Sequence, residues 1–216
     1  DKDPANQLLA LSPSLRLSGE QIRDVALQAA GLLKEQIGGP PCYPYQPGPD
    51  LWRESNTMTA SYKEGEVHRR SVYSVWKRTA PLPNISAFDA PTRESCVVHR
   101  SQTNTPLQAL VLLNDPQFVE SARVVAQACA TLPESERLSA AFARYTSRQP
   151  TAKESELLSQ LYREQLGLFQ KDPDAAKKIL AIGKSANNTQ SNHAEAAALT
   201  VTCQTILKLD ATIWKR

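Results

Sequence analysis

Apolar residues three and four apart recur along most of this chain and fail in one long central stretch. Ser18-Gly-Glu-Gln21 has the spacing of a capping box, and Ile22, Val25, Ala26, Ala29 and Leu33 follow on one helical face. This predicts a helix that opens at Ser18 and stops at Gly38-Gly39. The next residues, GGPPCYPYQPGPDLW, hold too much proline for a helix or an inner strand, so Gly38 to Tyr62 reads as a long ordered surface loop. VHRRSVYSVWKRT then alternates. Val67, Arg69, Ser71, Tyr73 and Val75 share one face and His68, Arg70, Val72, Ser74 and Trp76 the other, as in a strand. SCVVHR is the second strand candidate, and a small antiparallel pair between the two is expected. APLPNISAFDAPTRE connects them, with one helical turn near Ser86.

From Thr105 onward the period is helical. Thr105-Pro and Asp115-Pro each set a capping side chain before a proline suited to the first helical position. Phe118, Ala122, Val125 and Cys129 form one stripe, and Glu134 to Tyr145 forms another helix. Thr151-Ala-Lys-Glu154 is a second capping box, opening a helix with Leu157, Leu158, Leu161, Tyr162, Leu168 and Phe169 inside. Pro173 starts a short helix, GKSANNTQSN is a polar loop, and the last helix runs from about His193 to Leu209 with Leu199, Cys203, Ile206 and Leu207 inward. The expected fold is mainly α, in one domain over 1–216. An N-terminal helix lies within 1–37, loop and short strands within 38–104, and a helical bundle within 105–216.

Composition narrows the function classes. At 216 residues and 41% hydrophobic, the chain can bury one good core or two small ones. A net charge of +3 gives no general reason to expect nucleic acid, and the excess is local: Lys63 to Arg100 holds seven Lys/Arg against four Asp/Glu. No run of about eighteen apolar residues is present to span a membrane. Cys42, Cys96, Cys129 and Cys203 form no CxxC pair and no haem attachment motif. They permit two disulfides without requiring any, and Cys129 and Cys203 fall on apolar stripes that favour buried thiols.

Catalytic patterns fare poorly. Ser74-Val-Trp-Lys77 matches S-x-x-K, but it sits in a predicted strand and lacks the partner motifs. Cys96 and His99, three apart in a strand, face opposite sides and cannot close on one metal without a bend. Asp89, Glu94 and Asp115 can supply a carboxylate pair, or can be a cap and two arginine partners. No glycine-rich phosphate loop leads into a helix. The aromatic residues Tyr43, Tyr45, Trp52, Tyr62, Tyr73 and Trp76 either form a platform for a sugar or partner segment, or anchor the proline-rich loop. Arg69, Arg70, Arg93 and Arg100 either bind a polyanion or tie Asp89, Glu94 and loop carbonyls into a buried network, and the small charge surplus favours the network. Candidate binding residues are therefore Tyr43, Tyr45, Trp52, Tyr73, Trp76, Arg69, Arg70, Asp89 and Arg93. No catalytic residue, metal site or cofactor is assigned to this chain.

The string HRRSVYSVWKRTAPLPNISAFDAPTRESCVVHRSQTNTPLQALVLLNDPQFVESA closely resembles the core of the planctomycete-type domain of unknown function 1553, the PSD1 domain. Its pattern of YRRSLY, WKRT, FDAP, TNTPLQAL and LNDP matches from Arg69 through Pro116. DPANQLLA, SGEQIRDVALQAAGLL, GGPPCYPYQP and CQTILKLD fit outside that block. His68 replaces the family's usual aromatic, Cys42-Tyr43 a small and basic pair, and Lys208 an asparagine. The resemblance implies the C-terminal part of a large exported bacterial protein, behind a cytochrome c-like domain, with those domains as partners and no reaction to carry over. The expected role is a non-catalytic binding or docking module, directed at polysaccharide or packed on the cytochrome c-like domain. The alternative is an enzyme of hydrolytic or redox-assisted carbohydrate chemistry, with Asp89, Glu94 and the arginines in its site.

Overall fold

The computed structural model describes residues 5, 7, 14–45, 67–78, 81–187 and 192–215. The capping side chains mark the helix starts as the sequence predicts. Ser18 Oγ accepts from Gln21 N at 3.3 Å and Gln21 Oε1 accepts from Ser18 N at 2.9 Å, opening α1 (Gly19–Ala30). A short α2 covers Pro83–Ser86. Thr105 boxes with Gln108 at the start of α3 (Pro106–Asn114). Asp115 ends α3 and begins α4 (Pro116–Ala130), accepting from Gln117 N at 3.0 Å. Further helices are α5 (Glu134–Thr146), α6 (Ala152–Lys171, boxed by Thr151 and Glu154), α7 (Pro173–Leu180), α8 (His193–Lys208) and α9 (Asp210–Ile213).

Helix α8 is the axis of the fold. Its alanines and threonines are small enough to admit neighbours on several sides, and α4, α6, α7, α3 and α5 all pack on it. The main core joins Ile22 and Ala26 of α1, Phe118, Ala122, Val125 and Cys129 of α4, Phe142 and Tyr145 of α5, and Leu199, Cys203 and Ile206 of α8. Thr200 and Thr202 are buried in it at no polar cost, because their hydroxyls donate to the Ala196 and Ala198 carbonyls at 2.7 and 2.9 Å. All four cysteines are free thiols, and burial pushes those of Cys129 and Cys203 up.

Several expectations are corrected. Helix α1 stops at Gly31, whose φ of +69° provides the left-handed cap, and Leu32 and Leu33 N–H groups fold back to the Leu27 carbonyl. Leu33 is therefore outside the helix. The two central segments form no antiparallel pair. Ser71–Tyr73 is a single 3-10 turn, and 67–78 meets 34–42 through two isolated parallel bridges, Lys34–Arg69 and Cys42–Ser74. Residues 95–100 are exposed bends without a ladder. The small antiparallel sheet lies at the chain's ends instead, between β1 (Leu15–Arg16) and β2 (Trp214–Lys215). In α6 only Leu158 is buried, while Leu157 and Leu168 are each 57% exposed, because that helix meets α8 and α5 through one narrow face.

Burial pushes the Asp115 carboxyl up to about 6, against the pull of the Gln117 amide and the Arg23 guanidinium. A raised carboxyl favours the folded state when protonated, so its contribution fades as pH rises from 3.8 to about 6. Asp115→Ala should cost about 0.5–2 kcal/mol through the lost cap. Asp115→Asn keeps the cap and should flatten the fall in stability over that pH range, read from urea midpoints.

Candidate functional site

Buried arginines build the central region. Arg23, on α1, is fully buried and donates to Gln117 Oε1 (2.9 Å), Arg69 O (2.7 Å), Ser71 Oγ (3.0 Å) and Val67 O (2.5 Å). Its neighbour Asp24 accepts through Oδ1 from Ser71 N and Oγ, at 2.8 and 2.7 Å. These side chains take over the backbone and side-chain partners of 67–71. A strand ladder does not form there because an arginine already holds its carbonyls.

Arg69 repeats the device one layer out. Its guanidinium donates to the carbonyls of Gln36, Gly38 and Pro40 and lies 4.1 Å over the Tyr73 ring. Tyr73 Oη in turn accepts from Gly38 N at 2.9 Å. Segment 36–40 is thereby strapped beside α1, and a cavity of about 510 Å³ opens between them, lined by Asp24, Gln28, Glu35, Gln36, Arg70 and Tyr73 with Val25, Leu33 and Ile37.

A second centre forms on α4. The Glu120 side chain is fully buried, and its Oε2 accepts from Tyr45 Oη at 2.9 Å and from His68 Nε2 at 3.0 Å. Its Oε1 accepts from the amides of Lys184 and Ser185 at 2.8 and 2.6 Å. Burial alone would raise this carboxyl, but hydrogen bonds from His68 and Ser185 overcome it and hold it at about 2. Burial and the Glu120 charge push the Tyr45 phenol up. Gly183, at φ +106°, is required here, since a Cβ would stand 2.6–2.7 Å from the Glu120 side chain. One turn along α4, Arg123 donates to the carbonyls of Ile182, Ser185 and Ala186. The centre is thus a clamp on 182–186, with every carboxylate lone pair directed to a donor. It can fix backbone; it has no free base to offer.

Residues 92–104 are all exposed, yet fixed at their base. Asp89, at φ +62°, accepts from Thr103 N and Oγ1 at 2.8 Å. Arg93, at φ +63°, stacks 5.1 Å over Trp76, and Trp76 Nε1 donates to Thr92 O at 3.4 Å. Arg100 bonds Glu20 at 2.9 Å. Non-glycine residues in the left-handed region are strained, and two of them stand at the entry to this loop. Val97 and Val98 project from it, and Leu107 and Leu110 face outward on the adjoining α3.

The predicted binding residues do not share one platform. Tyr73, Arg69 and Arg70 belong to the α1 groove, with Arg69 buried behind it. Tyr45 belongs to the Glu120 clamp. Tyr43 and Trp76 pack on Leu82 and Ile85, with Arg93 over Trp76, and Asp89 closes the exposed loop. Trp52 lies outside the described residues, as does Tyr62. The expected network of Arg69, Arg70, Arg93 and Arg100 is corrected: of these only Arg69 is buried, and the other buried arginines among the described residues are Arg16, Arg23 and Arg123. Sequence reading missed these three and Glu120. The available signal was that Glu120 and Arg123 interrupt an apolar helix beside its buried stripe, where charge is costly unless paired. Among the described residues no group of three or more His, Cys, Asp or Glu is placed to hold a metal ion, and no helix is long and apolar enough to cross a membrane.

A family model described as "Protein of unknown function (DUF1553)", PSD1, matches residues 1–162. No curated protein and no solved structure matches the chain.

Proposed function

This chain belongs to the PSD1 (DUF1553) family, and on that premise we propose that it is a non-catalytic docking module. In this reading it packs, as part of a longer exported protein, against that protein's other domains, the cytochrome c-like domain among them. The observation that carries the reading is the exposed loop 92–104, with Val97 and Val98 outermost, beside the outward leucines of α3. A loop that is strained, hydrogen-bonded at its base and apolar at its tip presents preformed hydrophobic surface, which water disfavours until a partner covers it. The carboxylates singled out in the sequence, together with Glu120, support a binding role over catalysis. Asp89 is taken up by Thr103, Asp115 by the start of α4 and Glu120 by its clamp, while Glu94 stands in solvent.

Val98→Asp provides the test. Val98 has no side-chain burial to lose, so folding stability should change by no more than about 0.5 kcal/mol. Binding to the separately produced remainder of the longer protein, measured by titration calorimetry, should weaken at least about tenfold. Failure of the parent chain to bind that remainder, or equal binding by Val98→Asp, would reject this surface.

A further inference from the structure

We propose that the groove between α1 and segment 34–38 is a binding site for a neutral, hydroxyl-rich ligand of the oligosaccharide class. The site stands apart from the docking loop and shares no residue with it. Its cavity of about 510 Å³ is open to solvent and falls within the range of small-molecule sites, and an open groove admits a chain better than a single buried ring. Tyr73 forms one wall as a fixed aromatic plate. Arg69 covers it at 4.1 Å from outside the groove, and Gly38 N holds its hydroxyl at 2.9 Å. A ring immobilised by the protein costs little further entropy when a sugar face stacks on it.

Around that plate stand Asp24, Gln28, Glu35, Gln36 and Arg70, whose planar groups both donate and accept. Sugar hydroxyls need both. Asp24 is held by Ser71 through Oδ1, while its Oδ2 lies 3.7 Å from Arg70 Nε, too far for a hydrogen bond and so open to accept from a hydroxyl. The Arg70 side chain is 59% exposed and reaches the same space. Arg23 and Arg70 flank Asp24 at 3.6 and 3.7 Å, so with Glu35 the groove holds no excess positive charge to draw a phosphorylated, sulfated or uronic ligand.

Gln28→Ala and Arg70→Ala test the assignment, because neither side chain supports the core. The probes are the hexasaccharides of β-1,4-glucan, β-1,4-mannan and β-1,4-xylan, with a sulfated chondroitin hexasaccharide as the anionic counterpart. Affinity is followed by ¹H–¹⁵N NMR titration, and folding by thermal unfolding. The expected result is binding of at least one neutral probe, weakened about tenfold by each variant at unchanged Tm. The proposal is overturned if no neutral probe binds the folded parent at about 10 mM, if binding survives both alanine variants, or if only the sulfated probe binds. Because the docking test uses Val98 and a protein partner, either proposal can fail alone.

Discussion

Arg23→Met is expected to lower the unfolding free energy by about 3–5 kcal/mol, a large share of the roughly 5–15 kcal/mol that holds an ordinary domain together. Methionine fills most of the volume but donates nothing. Val67 O, Arg69 O, Ser71 Oγ and Gln117 Oε1 would then lose their shared donor in a site closed to water. Each buried acceptor left unpaired costs about 1–3 kcal/mol before relaxation, so the sum exceeds what the added apolar contact returns. Arg23→Lys should recover part of the loss, since an ammonium can reach some of these acceptors but cannot span them as the guanidinium fork does. Urea denaturation of the three proteins measures this directly. A methionine variant within about 1 kcal/mol of the parent would mean that 67–71 is held by other contacts.

Glu120→Gln should cost a comparable amount, about 3–5 kcal/mol near neutral pH, with a pH signature that a packing defect lacks. The amide has one accepting oxygen where the carboxylate has two, and its NH₂ would face donors: either the Lys184 and Ser185 amides, or Tyr45 and His68. The parent carboxyl sits at about 2 in the folded chain against an ordinary 4.5. A depressed carboxyl stabilises the folded state above its unfolded value, and that stabilisation is lost as pH falls from 4.5 towards 2. Glu154, held at about 2 by Arg148 and Thr151, contributes a similar slope in both proteins. The difference between parent and variant therefore isolates Glu120. It should be largest above pH 5 and shrink steadily in acid, and a difference independent of pH would reject an ionised clamp.

Much of the helical frame was legible because helix starts are written locally. Ser18 and Thr151 announce themselves by residue type and by the residue three places on, Thr105 and Asp115 by the proline that follows directly. The end of α1 was equally local, but Leu32 and Leu33 continue the apolar period past Gly31 and hide it. The strand expected at 67–78 failed for a different reason. Its alternation is real, yet the partner that satisfies its carbonyls is a side chain 44–46 residues upstream, which no periodicity reveals. The Glu120 centre depends on convergence as well. Tyr45 and His68 approach from one part of the chain and Lys184 from another, and only the folded backbone brings them to one carboxylate. His68, an apparent departure from the family's aromatic at that position, supplies a ring donor there.

Arg69 holds segment 36–40 through three main-chain oxygens. Recognition of that kind is blind to residue identity but sensitive to register. Variation at Gln36, Ile37 or Pro41 should therefore be accepted readily, with Gly38 and Gly39 constrained by their positive φ. A one-residue insertion or deletion should release the strap altogether, because it moves the carbonyls out of step with the guanidinium. Natural diversity along this edge of the groove is then expected to accumulate as substitutions at constant length, altering what the groove presents while leaving its shape unchanged.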